Sequence, residues 1–376
     1  MKALTYQGKE KLEVKNMDDP KIETGDDMIV RITATGICGS DLHLYKKTIP
    51  LDEDYIIGHE PMGIVEEVGS NVKNVKKGDR VVIPFNVSCG QCFFCNNQME
   101  SQCDNSNPHA DTGGLFGYSK QFGNYPGGQA EFLRVPYADF MAFVVPESSE
   151  LDDESVLFLS DVIPTAYWSV EHSGVKKGDT VLVLGSGPIG LMVQKFAWLK
   201  GAERVITVDH VPHRLDHAKK TNNVEIYNFE EEDELGKMLH ESTEGGADVV
   251  IDCVGMDGKV PPKEKVKDIF GQKGTIDPII MAAEAVRKFG TVQLTGVYGA
   301  PANLFPLGDF FSRNVQLKMG QAPVIHLMPK LYDMVENKEF DPTDIITHRM
   351  SLDEGPDAYK IFDEKSDGNI KAILKP

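Results

Sequence analysis

Cys89, Cys92 and Cys95 run as Cys-x-x-Cys-x-x-Cys, and Cys103 follows eight residues later in the same short polar loop. Four thiolates at this spacing suit a closed tetrahedral Zn²⁺ site, in which no coordination position is left for water or substrate. Two disulfides are the competing reading, and a cytosolic setting disfavours them. The loop therefore predicts a structural metal, so any chemistry has to come from elsewhere. A second group supplies candidates. Cys38, Ser40, Asp41 and His43 stand together, and His59 and Glu60 begin twenty-one residues past Cys38. A zinc that acts as a Lewis acid needs three ligands from Cys, His and carboxylate plus one exchangeable position, and Cys38 and His59 are the obvious first two. Taken singly, Cys38 reads as a small buried hydrophobe and His59 as a satisfied core histidine.

A third motif concerns phosphate. Gly185-Ser186-Gly187-Pro188-Ile189-Gly190 directly follows the apolar run Val181 to Leu184 and opens a helical pattern. In that context the first glycine makes the turn, the second admits a pyrophosphate and the third lets helix and strand pack closely, with the helix N-terminus facing the phosphates. Nineteen residues past Gly190, Asp209 ends the run Val205 to Val208, where a carboxylate accepts ribose hydroxyls and repels a 2′-phosphate. NAD is therefore expected over NADP, although His210 and Arg214 lie close enough to soften the preference. A generic glycine turn beside an unrelated Asp is the bland alternative.

These groups need elements to hold them. At 376 residues the chain is expected to form two domains. Up to about residue 155 it is turn-rich and strand-like, with runs such as Met28 to Thr33, Met62 to Val68 and Arg80 to Pro84, which suggests a β barrel. From 156 to 320 the rhythm becomes βα, which implies a parallel sheet covered on both faces, and 321–376 returns to mixed text. The polar stretch Asp257 to Pro278 reads as an inserted loop. A formal charge of -19 with scattered Lys and Arg argues against nucleic acid. No apolar stretch suggests a signal peptide or a membrane span, so a soluble cytoplasmic protein is expected.

Read together, Gly36 to His43, Gly58-His59-Glu60-Pro61, the four-cysteine loop, Gly127 to Glu131, Leu159 to Thr165 and Gly185 to Gly190 resemble, in order, the zinc-dependent alcohol dehydrogenases. These belong to the medium-chain dehydrogenase/reductase superfamily, and the likeness is to its formaldehyde dehydrogenase-like branch. The resemblance implies an α/β fold: a GroES-like β-barrel catalytic domain at 1–155 with a structural zinc lobe at about 86–104, a Rossmann doubly wound domain at 156–320, and a C-terminal return to the catalytic domain. It implies two Zn²⁺ per chain, NAD, a small alcohol or aldehyde as substrate, and a homo-oligomer, a tetramer before a dimer.

The same resemblance implies roles for single residues. Asp161 becomes the third ligand of the catalytic zinc, in a place where many relatives carry a second cysteine. Glu60 becomes a nearby carboxylate able to bind the metal transiently, or else a salt-bridged neighbour. Asp41 would orient the histidine ligand through its other ring nitrogen. Ser40 and His43 would form a proton relay ending at the surface. Thr165 would lie against the nicotinamide, Cys253 and Val254 along the adenosine, Thr295 and Val297 at the carboxamide, and Lys371 at the pyrophosphate. Gly39 stands where the family often places a basic residue. Ile49, Phe85 and Phe116 would line the substrate pocket. One alternative is a glutathione-independent formaldehyde dehydrogenase or dismutase whose NAD stays bound under the Asp257 to Pro278 insertion. The other is a catalytically silent zinc and NAD binding protein.

Overall fold

The computed structural model describes residues 1–257, 275–299 and 305–376. Most of the insertion expected at Asp257 to Pro278 lies outside the described residues. The turn-rich N-terminal part forms β1 (Lys2–Tyr6), β2 (Leu12–Asn16), β3 (Met28–Gly36), β4 (Glu60–Val68), β5 (Arg80–Val82), β6 (Asn86–Val87), β7 (Gly114–Leu115), β8 (Phe132–Val135) and β9 (Phe143–Val144). Alternation decides which face of β3 is buried. Met28, Val30 and Ile32 point into a core shared with Val65, Val81 and Leu133, whereas Arg31, between them, is exposed and pairs with Glu66. Each such buried aliphatic contributes about 1.5–3 kcal/mol.

Among the described residues the βα part forms six strands, β10 (Thr180–Leu184), β11 (Arg204–Asp209), β12 (Glu225–Asn228), β13 (Ala247–Asp252), β14 (Val286–Leu294) and β15 (Gln316–Met319). Every neighbouring pair is parallel, in the order β12-β11-β10-β13-β14-β15. The order reverses between β10 and β13, and a ligand of such a sheet binds outside the carboxyl ends of the strands at that switch point. Gly185 follows β10, Asp209 ends β11, and Cys253 follows β13, so all three stand at carboxyl ends.

The last strands, β16 (Ile346–Ser351) and β17 (Lys371–Lys375), rejoin the first sheet in the order β16-β17-β3-β4-β5-β9, with β8 also on β3. Two compact units result, Met1–Pro164 with Ala322–Pro376, and Thr165–Gln321. The division falls later than 155/156 because the helix Asp153–Leu157 and the turn after it are held by the first sheet. Thr33 Oγ1 donates to Asp153 Oδ2 at 2.6 Å, and the Phe85 amide donates to the Ser160 carbonyl at 3.1 Å.

Candidate active site

Strand register builds the first cluster. β3 and β4 pair so that Gly36 faces Glu60, and β17 pairs with β3 so that Ile373 faces Gly36. The end of β3 thus delivers Cys38, the start of β4 delivers His59 and Glu60, and β17 delivers Lys371. Asp161 comes from the turn before the helix Val162–Ser173. One ligand atom from each of Cys38, His59, Glu60 and Asp161 lies within 4.8 Å of the others. Cys38 Sγ and His59 Nε2 are each 3.4 Å from Asp161 Oδ2.

Around them the chain supplies support. Asp41 Oδ2 accepts from the Cys38 amide at 2.9 Å, and Asp41 Oδ1 lies 3.0 Å from His59 Nδ1, leaving Nε2 to face the cluster. Ser40 Oγ is 3.4 Å from that Nε2. Phe85 and Tyr118 meet the imidazole edge-on, with centroids 6.0 and 6.1 Å away. Ile49 is buried nearby in sequence, its amide donating to the His43 carbonyl at 3.1 Å.

Charge in this site is out of balance. Burial and the Asp161 carboxylate push the Cys38 thiol up. Burial also opposes a charge on His59, yet Asp41, Asp161 and Cys38 outweigh it and hold the imidazole well above its usual value. Glu60 Oε2 is buried with no hydrogen-bond partner among the described residues. Sulfur, imidazole nitrogen and carboxylate oxygens converging on one point, with an orphaned oxygen beside them, fit a divalent cation of the zinc type.

The second cluster is the cysteine loop. All six cysteines of the chain are free, and the sulfurs of Cys89, Cys92, Cys95 and Cys103 stand 3.5–3.9 Å apart where they touch. That is well beyond the ~2.05 Å of a disulfide. Backbone amides already point at sulfur: Cys89 N–H donates to Cys103 Sγ, and the Gln91 and Cys92 amides donate to Cys89 Sγ, at 3.3–3.4 Å. Burial raises the Cys92 thiol, but hydrogen bonds around its sulfur prevail and bring it down to about 7.

In the second unit, the turn after β10 closes as its glycines require. Gly185 has φ of +92°, and a Cβ on Gly190 would collide with the Gly185 carbonyl. Gly187 caps the helix Pro188–Leu199, with Pro188 and Ile189 in its first turn. Asp209 accepts from three amides, Ser186 at 2.7 Å on Oδ2, and His210 at 2.6 Å and Val211 at 3.0 Å on Oδ1. The Arg214 guanidinium approaches Gly187, with Nη1 3.6 Å from where a Cβ would be. Val254 N–H donates to Asp252 Oδ1 at 2.9 Å, and the Cys253 amide to the Leu184 carbonyl at 2.8 Å. Thr295 Oγ1 is 2.7 Å from Ser169 Oγ, which donates to the Thr165 carbonyl at 2.6 Å. The Val297 carbonyl accepts from the Met256 amide at 3.0 Å.

With this geometry in place, comparison with known proteins is decisive. Residues 24–147 match the alcohol dehydrogenase GroES-like domain, and residues 188–262 match the zinc-binding dehydrogenase family. An uncharacterized zinc-type alcohol dehydrogenase-like protein of Bacillus subtilis, AdhB, is 58% identical over 380 residues, covering 100% of both chains. The chain belongs to the zinc-type alcohol dehydrogenases. A glutathione-independent formaldehyde dehydrogenase of Pseudomonas aeruginosa is 32% identical over 382 residues, covering 96% of this chain and 94% of the relative. Among solved structures, an alcohol dehydrogenase from a Thermus species superposes with a TM-score of 0.86 at 32% identity, covering 100% of this chain and 99% of that one. The dehydrogenase fold is therefore a GroES-like domain with a Rossmann-like parallel sheet, and zinc and a nicotinamide dinucleotide are the cofactors its family implies.

Three expectations for this dehydrogenase are corrected. Lys371 is not available to a pyrophosphate: its ammonium is fully buried, 2.6 Å from Glu60 Oε1, and donates to the Ile37 carbonyl at 2.8 Å. Strand pairing of β17 with β3 carries it there. Phe116 is not a pocket wall. It is fully buried in the core of the first sheet, in the cluster with Met28, Val30 and Val65 and edge-on to Tyr125, and its amide donates to the Phe85 carbonyl. His43 is not at the surface either, being 3% exposed on the helix Asp41–Tyr45, whose residues are all buried.

Sequence reasoning misses Tyr118; it offers a salt-bridged Glu60 as one alternative but does not name Lys371 as the partner. For Tyr118 the available signal was Gly117 before it, in an aromatic loop that follows the cysteine lobe.

Proposed function

We propose that this dehydrogenase oxidises a small primary or secondary alcohol to the carbonyl compound with NAD⁺, or runs that reaction in reverse. The convergence of Cys38, His59 and Asp161 carries this reading. Those three side chains would hold the catalytic Zn²⁺, with Glu60 within reach for transient ligation, and Cys89, Cys92, Cys95 and Cys103 would hold a second, structural Zn²⁺. When bound, zinc supplies a Lewis acid for the developing oxyanion and the nicotinamide supplies the hydride acceptor.

The protein's own groups do the rest. Asp41 fixes His59 with Nε2 turned to the metal position. Ser40 Oγ, beside that nitrogen, would accept the hydroxyl proton as the oxyanion develops while giving up its own, and the buried His43 on the next helical turn would be the base that receives it. Phe85 and Tyr118, beside His59, would keep the reacting carbon in an apolar surround to which Ile49 would add, and so favour a small, uncharged substrate. On the second unit, Gly185 to Gly190 would seat the pyrophosphate at the helix N-terminus, while Asp209 would accept from the adenosine ribose and repel a 2′-phosphate. Arg214, close over Gly187, would add positive charge there. Thr165, Cys253, Val254, Thr295 and Val297 would line the remaining length of the cofactor. A homo-oligomer is proposed, a tetramer before a dimer. No helix among the described residues is long and apolar enough to cross a membrane.

Purified protein supplied with Zn²⁺, NAD⁺ and a panel of short alcohols is expected to generate NADH absorbance. No turnover of any alcohol or aldehyde by zinc-loaded protein would sink the proposal. A second reading is favoured by the formaldehyde dehydrogenase relative and by a formaldehyde dismutase of Pseudomonas putida, 28% identical over 401 residues. Formaldehyde consumption without added NAD⁺ would support it.

A further inference from the structure

We infer that Tyr118 is a positioning residue for the proton relay, holding the Ser40 turn in place through its hydroxyl while its ring walls the site beside His59. The inference rests on the dehydrogenase reading above for its catalytic consequence, although the contact itself does not. Tyr118 Oη donates to the Ser40 carbonyl at 3.1 Å. That same carbonyl accepts from the His43 amide at 3.2 Å. One oxygen therefore ties together the tyrosine and both relay residues, Ser40 and His43. The Ser40 side chain makes no capping hydrogen bond to the short helix Asp41–Tyr45, so the turn is ordered by Asp41 Oδ2 on the Cys38 amide at its start and by the Tyr118 hydroxyl on the Ser40 carbonyl.

The placement of Tyr118 follows from two glycines. Gly58 and Gly117 both have positive φ, +95° and +62°, and a Cβ on Gly117 would collide with the Gly58 backbone. Because the two backbones touch there, the next residue on each, His59 and Tyr118, must meet. Their rings do so edge-on at 84°, and Phe122 also packs edge-on to Tyr118, with centroids 5.3 Å apart. The ring is 5% exposed. A buried phenol of this kind needs a polar partner, and the Ser40 carbonyl provides one.

Loss of the hydroxyl alone should loosen Ser40 without disturbing the aromatic packing. Tyr118→Phe is expected to lower kcat for alcohol oxidation about tenfold and to shift the pH profile of kcat, with the KM for NAD⁺ and the thermal midpoint close to wild type. In the protein without cofactor, amide exchange followed by mass spectrometry should accelerate across residues 38–45 and stay unchanged in the cysteine lobe. Tyr118→Ala, which also removes the ring, should additionally raise the KM for alcohol. Unchanged kcat, pH profile and amide exchange in Tyr118→Phe would overturn the inference. If the wild type turns over no alcohol, the functional reading fails, and amide exchange at 38–45 still decides whether Tyr118 holds the Ser40 turn.

Discussion

Lys371 Nζ lies 2.6 Å from Glu60 Oε1, and neither side chain reaches solvent. Burial works against the lysine's charge, but Glu60, Cys38 and Asp161 together keep its pKa above the usual value. The pair thus sets how much negative charge Cys38, His59 and Asp161 have beside them. Breaking it from one side leaves a buried charge unpaired, which costs about 3–5 kcal/mol. Lys371→Met should therefore lower the unfolding free energy by that order in urea titrations. Lys371→Met combined with Glu60→Gln should recover most of the loss, and no recovery would mean that the two groups do not act as a pair.

Asp161 distinguishes this site from one built with two cysteines and a histidine. A carboxylate oxygen is a harder ligand than a thiolate, so retention of the proposed catalytic zinc is expected to depend on the charge at that position. Asp161→Asn should weaken zinc binding about 10–100-fold or more, measured by competition with a chromogenic chelator. Asp161→Cys should retain zinc. Equal retention by wild type and Asp161→Asn would remove Asp161 from the ligand set.

How far the sequence reveals these relations depends on distance along the chain. Gly185 to Gly190 and the strand before it are legible because turn, helix start and strand are neighbours in sequence, and period and glycine spacing report them directly. The close spacing within Cys89 to Cys103 is legible for the same reason. Asp161 is different. It lies more than one hundred residues from Cys38 and His59, in a turn that by itself reads as a helix start, and only family likeness joins it to them. The place of Lys371 is not legible, because the pairing of β17 with β3 is a non-local fact that no local pattern carries. Phe116 and Phe85 share an aromatic character, and only the tertiary fold separates the core ring from the one beside His59.

Cofactor choice should turn on Asp209. Its carboxylate is anchored by the Ser186, His210 and Val211 amides, so its charge is fixed at the end of β11. Asp209→Ser is expected to raise the kcat/KM ratio for NADP⁺ over NAD⁺ by at least about tenfold, since removing a like charge at close range is worth more than ~1.4 kcal/mol. Fluorescence titration with NADH and NADPH provides the matching binding measurement. An unchanged ratio would contradict the role given to Asp209.

Acid stability should depend on Asp27. Burial alone would raise its pKa, but the amides of Thr24 and Glu23, the Thr24 hydroxyl and the Arg134 guanidinium outweigh it and hold the carboxyl below its usual value. A depressed folded-state pKa gives stability that is fully present above the unfolded value of about 3.9 and is lost as pH falls through the folded value. Asp27→Asn should accordingly be less stable than wild type at neutral pH, with the difference narrowing below about pH 4. Urea denaturation across that range checks the sign. A gap that widens with acid would show that the carboxylate is not stabilised in the fold.

One zinc is proposed to work at Cys38, His59 and Asp161 while the other only holds the cysteine loop together. Elemental analysis of purified wild type and Cys38→Ala, paired with NADH formation from the best alcohol, tests it most directly. Two zinc per chain are expected in the wild type, and one zinc with turnover abolished in a folded Cys38→Ala protein. Two zinc retained in Cys38→Ala, or turnover that survives the loss of one, would contradict it.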